Sequence, residues 1–259
     1  PRALIDALFT ATSATTVTGL VVVPTGAYWS TWGGLVVILV AIKIGGLGGV
    51  MTLASLLGMA VSRRIGLTQR LLVSSETKVT RLGEVGSLVR TVIVTSTVLE
   101  IAIALVLFPR LVVHNEAVGE AAWHALFYAV SAFNNAGFVP TPEGLAPFVS
   151  DWWMLLPIIV GVFIGSLGFP PVILNVANHL REPRRWSLHS KLTITTSIGL
   201  VVFGSVVVAA FEWTNPPGTF RPLDPPGGTA LASLFAGVMP RSGGFSTVDV
   251  DQMHEARGC

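Results

Sequence analysis

The chain has 259 residues, 51% hydrophobic and only 12% charged, with a mean hydropathy of +0.71, which excludes an ordinary soluble domain of this size and points to a lipid bilayer. A formal net charge of +2 does not mark a nucleic-acid binder, because the basic residues lie between apolar segments instead of covering a polar domain. The one cysteine, Cys259, allows neither an internal disulfide nor a cysteine metal cluster.

The chain opens on Pro1 with no cleavable leader and stops soon after a polar stretch, so a piece of a longer protein is expected. Leu4 to Leu20 is semi-apolar but too short to cross a bilayer with its polar tail. Trp32 to Val61 is long enough, and it runs into a loop carrying Arg63, Arg64, Arg70, Lys78, Arg81 and Arg90. A second span follows at Leu88 to Phe108, then a second short segment at Ala121 to Phe138. The third span, Trp152 to Asn178, leads into Arg181, Arg184, Arg185 and Lys191. The fourth is Leu192 to Trp213, and a third short segment covers Thr229 to Phe245. Ten of the 16 Lys and Arg thus fall in two loops, 62–90 and 181–191, which the positive-inside rule places in the cytoplasm of a multi-pass plasma-membrane protein. Trp29, Trp32, Trp152, Trp153 and Trp213 sit at span ends, where amphipathic rings favour the headgroups.

The three short segments begin and end on the outer side, which reads as re-entrant half-helices. They are also copies of one another. Phe9, Ala11, Ser13, Ala14 and Gly19 of "FTATSATTVTGL" match Phe127, Ala129, Ser131, Ala132 and Gly137 of "FYAVSAFNNAGF". The element after each repeats as "IGGLG" (44–48) and "IGSLG" (164–168). A weaker third copy, "LFAGVMPRSGGF", keeps Ala236, Gly244 and Phe245. A fixed period of this kind implies parallel structural repeats.

A half-helix entering from outside aims its partially negative C-terminus at the membrane middle, and a glycine turn beyond it can turn carbonyls toward a common axis. Gly19, Gly137 and Gly244 suit that role; the alternative is that each merely ends its helix. Asn134 and Asn135 read as bonding behind their turn, with a pore-facing role as the alternative, and Arg241 reads as bracing the third turn, with a pore-facing barrier as the alternative. Lys43 and Glu100 are ionisable residues inside spans, which usually have a partner or a function; they could pair across neighbouring helices, with Lys43 anchoring a kink near "IGGLG", and a charge controlling ion passage is the alternative. Gly45 with Gly49, and Gly161 with Gly165, have the spacing of close helix packing. His114, His124, His179, His189 and His254 show no metal-ligand spacing. Ser166 has no histidine at its depth to activate it as a nucleophile, and no enzyme is expected.

The stretches "TATSATTVTGL", "IKIGGLGGVMTL", "SAFNNAGF", "IGSLGFP", "WSLHSKLT" and "PRSGGFSTVD" together resemble the Trk/Ktr/HKT superfamily of potassium transporters, most of all its Ktr-type pore subunits. The resemblance implies an all-α membrane fold of helix, pore half-helix, filter loop and helix, repeated pseudo-fourfold around one ion pore. Residues 1–87 would be unit 1 without its first helix, 88–187 a complete unit 2, and 188–259 unit 3 without its last helix. It implies a filter at Thr16, Val17, Thr18 and Gly19, at Asn134, Asn135, Ala136 and Gly137, and at Ser242, Gly243 and Gly244. It implies K+ uptake, with Na+ dependence in the Ktr branch and no organic cofactor, by a homodimer docked on a cytoplasmic nucleotide-binding regulatory ring. The third loop reads "SGGF" where the family pattern suggests "TAGF", and "VPTG" (23–26) stands where an aspartate often precedes Thr-Gly. The rival readings are a neutral-solute pore and a non-transporting membrane scaffold. A neutral-solute pore of half-helices would bring them in from both faces with an Asn-Pro-Ala turn, which is missing here.

Overall fold

A computed structural model describes residues 2–30, 36–46, 82–114, 116–167, 186–212 and 226–247. Among them all regular structure is helical. The helices are α1 (Arg2–Thr15), α2 (Val36–Gly46), α3 (Leu82–Val113), α4 (Val118–Phe133), α5 (Trp152–Ser166), α6 (Leu188–Glu212) and α7 (Pro226–Val238), with a short helical turn at Thr25–Tyr28. The expected half-helices are therefore α1, α4 and α7, of 14, 16 and 13 residues, none of which can cross a bilayer alone.

Two of the four expected spans are matched in full length: Ile93–Val113 and Leu188–Phe211 are long and apolar enough to cross a membrane. The other two are represented by the shorter apolar helices α2 and α5, and their continuations to Val61 and Asn178 lie outside the described residues. So do most of loop 62–90, much of loop 181–191, and Gly49.

Helix α3 runs past its expected end at Phe108 through Pro109 to Val113. Arg110 there finds Asp151 at 2.5 Å, which holds the polar end of the helix in place. Helix α6 starts at Leu188, four residues before the apolar run, because the Ser187 side chain accepts the Ser190 N–H at 3.1 Å. Helix α5 is likewise capped by Asp151, whose carboxylate accepts from the N–H groups of Trp153 and Met154 at 3.0 and 3.3 Å.

The packing repeats along the chain. Half-helix α1 lies on the helix that follows it, α2, as α4 lies on α5. Half-helix α4 lies on the helix that precedes it, α3, as α7 lies on α6. Across the boundaries, α2 touches α4 and α5 touches α7. Helix α4 is consequently enclosed on both sides: Phe127 and Val130 join one apolar core with Ala14, Ile38 and Ile42, while Tyr128, Ala129 and Ala132 join another with Leu107, Ile158 and Leu231. The perimeter is apolar too. Leu192, Leu200, Phe203 and Phe211 of α6 and Val98, Ile101 and Leu105 of α3 are all exposed, an outer surface suited to lipid and not to water.

Candidate functional site

The C-termini of α1 and α4 end in the same way. The N–H of Val17 bonds to the carbonyl of Ala14 at 3.3 Å, and that of Thr18 to Ser13 at 2.9 Å. In the second copy Asn135 bonds to Ala132 at 3.1 Å and Ala136 to Ser131 at 2.8 Å. This pair of wrapped bonds is a Schellman motif, which needs a left-handed residue just past the helix. That residue is Val17, at φ 55°, and Asn135, at φ 56°. Asparagine takes this conformation readily, whereas a β-branched side chain resists it.

The glycines come two residues later. Gly19 and Gly137 have φ of 75° and 71°, so neither is the helix-capping residue, and the reading of them as mere caps does not hold in the first two copies. The third copy differs. A five-residue π turn, Met239–Gly243, extends α7, and Gly244 at φ 69° ends it, with its N–H on the Met239 carbonyl at 3.3 Å. Gly244 does cap its helical turn, so there the alternative reading holds. The side chains of Arg241 and Ser242 lie outside the described residues, and with them the expectation that Arg241 braces the loop.

The three loops meet. A Cβ placed on Gly19 would come within 2.7 Å of the Ala136 carbonyl oxygen. One on Gly137 would come within 3.0 Å of the Gly243 carbonyl oxygen and 2.9 Å of the Gly244 carbonyl carbon. One on Gly244 would meet the Gly137 Cα at 3.3 Å. The second loop thus sits between the first and the third. Loops that converge at the partially negative C-terminal ends of helices are where a cation would be favoured.

Both asparagines point away from this meeting place, as the sequence suggests. Asn134 donates through Nδ2 to the Val130 carbonyl at 2.8 Å and to Glu100 Oε1 at 2.9 Å. Asn135, in the amide orientation that satisfies its neighbours, donates to the Val162 carbonyl at 3.0 Å and accepts from the Ser166 N–H at 3.2 Å. The Ser131 hydroxyl donates to the Phe138 carbonyl at 2.8 Å, tying the exit of the turn back to α4. In the first copy the turn is laced by Thr16, whose hydroxyl lies 2.6 Å from that of Thr18.

Lys43 and Glu100 do pair, at 2.5 Å, with Lys43 also donating to Ser96 at 3.2 Å. The Ser166 hydroxyl donates to the Phe163 carbonyl one turn back, at 2.8 Å. Sequence reasoning missed a polar cluster at the other end of α3. Asp151 binds Arg110 and lies 3.6 Å from His114, whose ring packs edge-on to Phe148. His124 bonds Glu116 at 2.9 Å, and the Tyr128 hydroxyl reaches Thr141 at 2.6 Å. The signal available for this cluster was Asp151 standing directly before the apolar run of α5, an N-cap position.

The TrkH family model, described as cation transport protein, matches residues 1–258. Ktr system potassium uptake protein B of Bacillus subtilis is 39% identical over 257 residues, covering 98% of this chain and 56% of that protein. Its namesake from Vibrio alginolyticus is 35% identical over 95% of this chain and 53% of that protein. Potassium/sodium uptake protein NtpJ of Enterococcus hirae is 27% identical over 97% of this chain and 54% of its own length. The chain spans about half the length of these curated relatives.

Proposed function

Because this chain belongs to the TrkH family of cation transport proteins, we propose that it supplies three of the loops lining a potassium-selective uptake pore in the plasma membrane. The observation that carries the reading is the lodging of Gly137 between the first loop and the third, against Gly19 on one side and Gly243 and Gly244 on the other. Filter residues in this proposal are Thr16, Val17, Thr18 and Gly19, Asn134, Asn135, Ala136 and Gly137, and Ser242, Gly243 and Gly244. Their backbone carbonyls replace the water shell of a dehydrated ion, and the loop spacing, held from behind by Asn134 and Asn135, sets which ion fits. Units at 1–87, 88–187 and 188–259 stand side by side around the axis. A fourth, supplied by sequence beyond this chain, completes a pseudo-fourfold pore.

The remaining parts of the proposal rest on the family and on the names of its relatives. The transported ion is K+, and the relative named for potassium and sodium makes Na+ the candidate second ion. Relatives named as one protein of a Ktr system support a separate regulatory partner. We place that partner, a nucleotide-binding ring, on the basic loop 62–90 at the cytoplasmic face, beneath a homodimer of pore subunits.

The test is rubidium uptake by the full-length protein in cells stripped of their own potassium uptake systems, with and without Gly137→Ser. Uptake that resists excess sodium, with that resistance lost in the variant, is the expected result. Resistance unchanged by Gly137→Ser removes the filter from this loop, and a well-expressed protein with no uptake even with its cytoplasmic partner supplied leaves a membrane scaffold as the better description.

A further inference from the structure

Two charged side chains close to the second loop lie at the boundary between the first and second units, Glu100 buried and Lys43 26% exposed. Glu100 comes from the middle of α3 and is 3% exposed; Lys43 comes from α2. One carboxylate oxygen of Glu100 takes the Lys43 ammonium, and the other takes the Asn134 amide. Asn134, 7% exposed, directs its remaining amide N–H to the Val130 carbonyl in the last turn of α4, and its side chain packs on Gly46. Every polar bond of that side chain therefore restrains the first residue of the second loop from behind. At the next boundary the repeat offset of 120 puts Phe163, which carries no charge, where Lys43 stands.

An ion pair between two apolar helices needs only two charges, and a carboxylate inside a span is normally matched for that reason alone. Here the carboxylate does more, because it accepts a charge-assisted hydrogen bond from the loop itself. We propose that Glu100 is a positioning residue for ion discrimination, fixing the backbone at Asn134 so that the Ala136 and Gly137 peptides keep their spacing to the neighbouring loops. Lys43 holds that carboxylate in place and cancels its charge, so that no off-axis anion competes with the loops for the ion. The first unit thereby sets the geometry of the second unit's loop. This inference rests on the filter reading above.

The experiment measures rubidium uptake and its inhibition by sodium for the full-length protein carrying Glu100→Ala, Asn134→Ala, both, or the charge swap Lys43→Glu with Glu100→Lys. Membrane expression and thermal unfolding are followed for each. Expected is a loss of sodium discrimination of about tenfold in either single alanine variant and no further loss in the double, the non-additivity of residues acting through one network. The swap restores expression and unfolding temperature but not discrimination, since a lysine at 100 has no lone pair to accept the Asn134 N–H. The inference is overturned if the swap recovers discrimination, if the single losses add, or if Glu100→Ala discriminates normally. Should the alanine variants fail to reach the membrane, the swap and Glu100→Gln decide the matter. Glu100→Gln keeps an acceptor for Asn134 and is expected to discriminate within about threefold of the parent; a loss as large as tenfold there counts against the inference. Gly137→Ser run beside them separates the two ideas: if it loses discrimination and Glu100→Ala does not, the filter stands and the positioning role falls.

Discussion

Gly45 of α2 lies directly against the carbonyl group of Thr15 at the end of α1: a Cβ there would come within 2.8 Å of the Thr15 carbonyl carbon. Gly165 of α5 has the same relation to Phe133 at the end of α4, at 2.9 Å. Both are the glycine after isoleucine in the repeated "IG", and both let a full helix lie flush on the end of its half-helix. Gly45→Ala and Gly165→Ala are each expected to destabilise by about 1–3 kcal/mol, the penalty of overpacking a tight contact. Equal drops in thermal unfolding temperature of the purified protein support the equivalence, and one silent variant breaks it.

Gly137 and Gly144 share a positive φ, 71° and 60°, but not a neighbourhood. A Cβ on Gly144 meets only the Val139 side chain at 3.7 Å, while one on Gly137 meets the third loop's backbone. Gly144→Ala should then carry only backbone strain, about 1–2 kcal/mol, and leave ion discrimination intact. Gly137→Ala should damage discrimination as well. Sodium inhibition of rubidium uptake measured on both variants separates strain from contact.

Val17 occupies the left-handed position that Asn135 fills in the second copy. Replacing it by the residue its counterpart uses, Val17→Asn, relieves a β-branched side chain of an unfavourable conformation, and about 1 kcal/mol of stabilisation is expected. Chemical denaturation in detergent reads this out. A destabilised variant would mean that the packing of the Val17 side chain on α2, where it touches Gly45, outweighs the strain.

Asp151 does two jobs, capping α5 and binding Arg110. Asp151→Asn keeps the cap and loses the charge, so it should cost less than about 1 kcal/mol, because the Arg110 side chain is 35% exposed and well screened. Asp151→Ala loses both and should cost about 1–2 kcal/mol more. Unfolding compared at low and high salt checks the division, since only the charge contribution fades with ionic strength.

What could be read from the sequence was local or periodic. Half-helix length, the glycines at 19, 137 and 244, and the register between copies all follow from runs of a dozen residues, and the structure has the half-helices and the positive φ where the repeat puts them. The pairing of Lys43 with Glu100 was visible as a need, since each charge sits in an apolar run. Asn134 as the third member was not, because α3 and the second loop are brought together only by packing. Nor was the role of Val17 legible, as nothing in "TTVTGL" says that the left-handed residue closing the helix comes two residues before the glycine. The caps at Asp151 and Ser187 were written in the sequence but masked by attention to hydropathy, which places span ends by apolar content and ignores the polar residue that starts the helix.

The Lys43–Glu100 pair also constrains how the chain is made. Helix α2 leaves the ribosome before α3, so for a time Lys43 must enter lipid, or wait beside the translocon, with no counter-charge. An uncompensated lysine is unfavourable by about 2.5–3.5 kcal/mol at a helix centre and by less toward a helix end, and Lys43 stands in the last turn of α2. The arrival of Glu100 relieves it. The emergence of α3 is thus the step that removes this penalty from α2, and a nascent chain halted before α3 is one that quality control should find and remove.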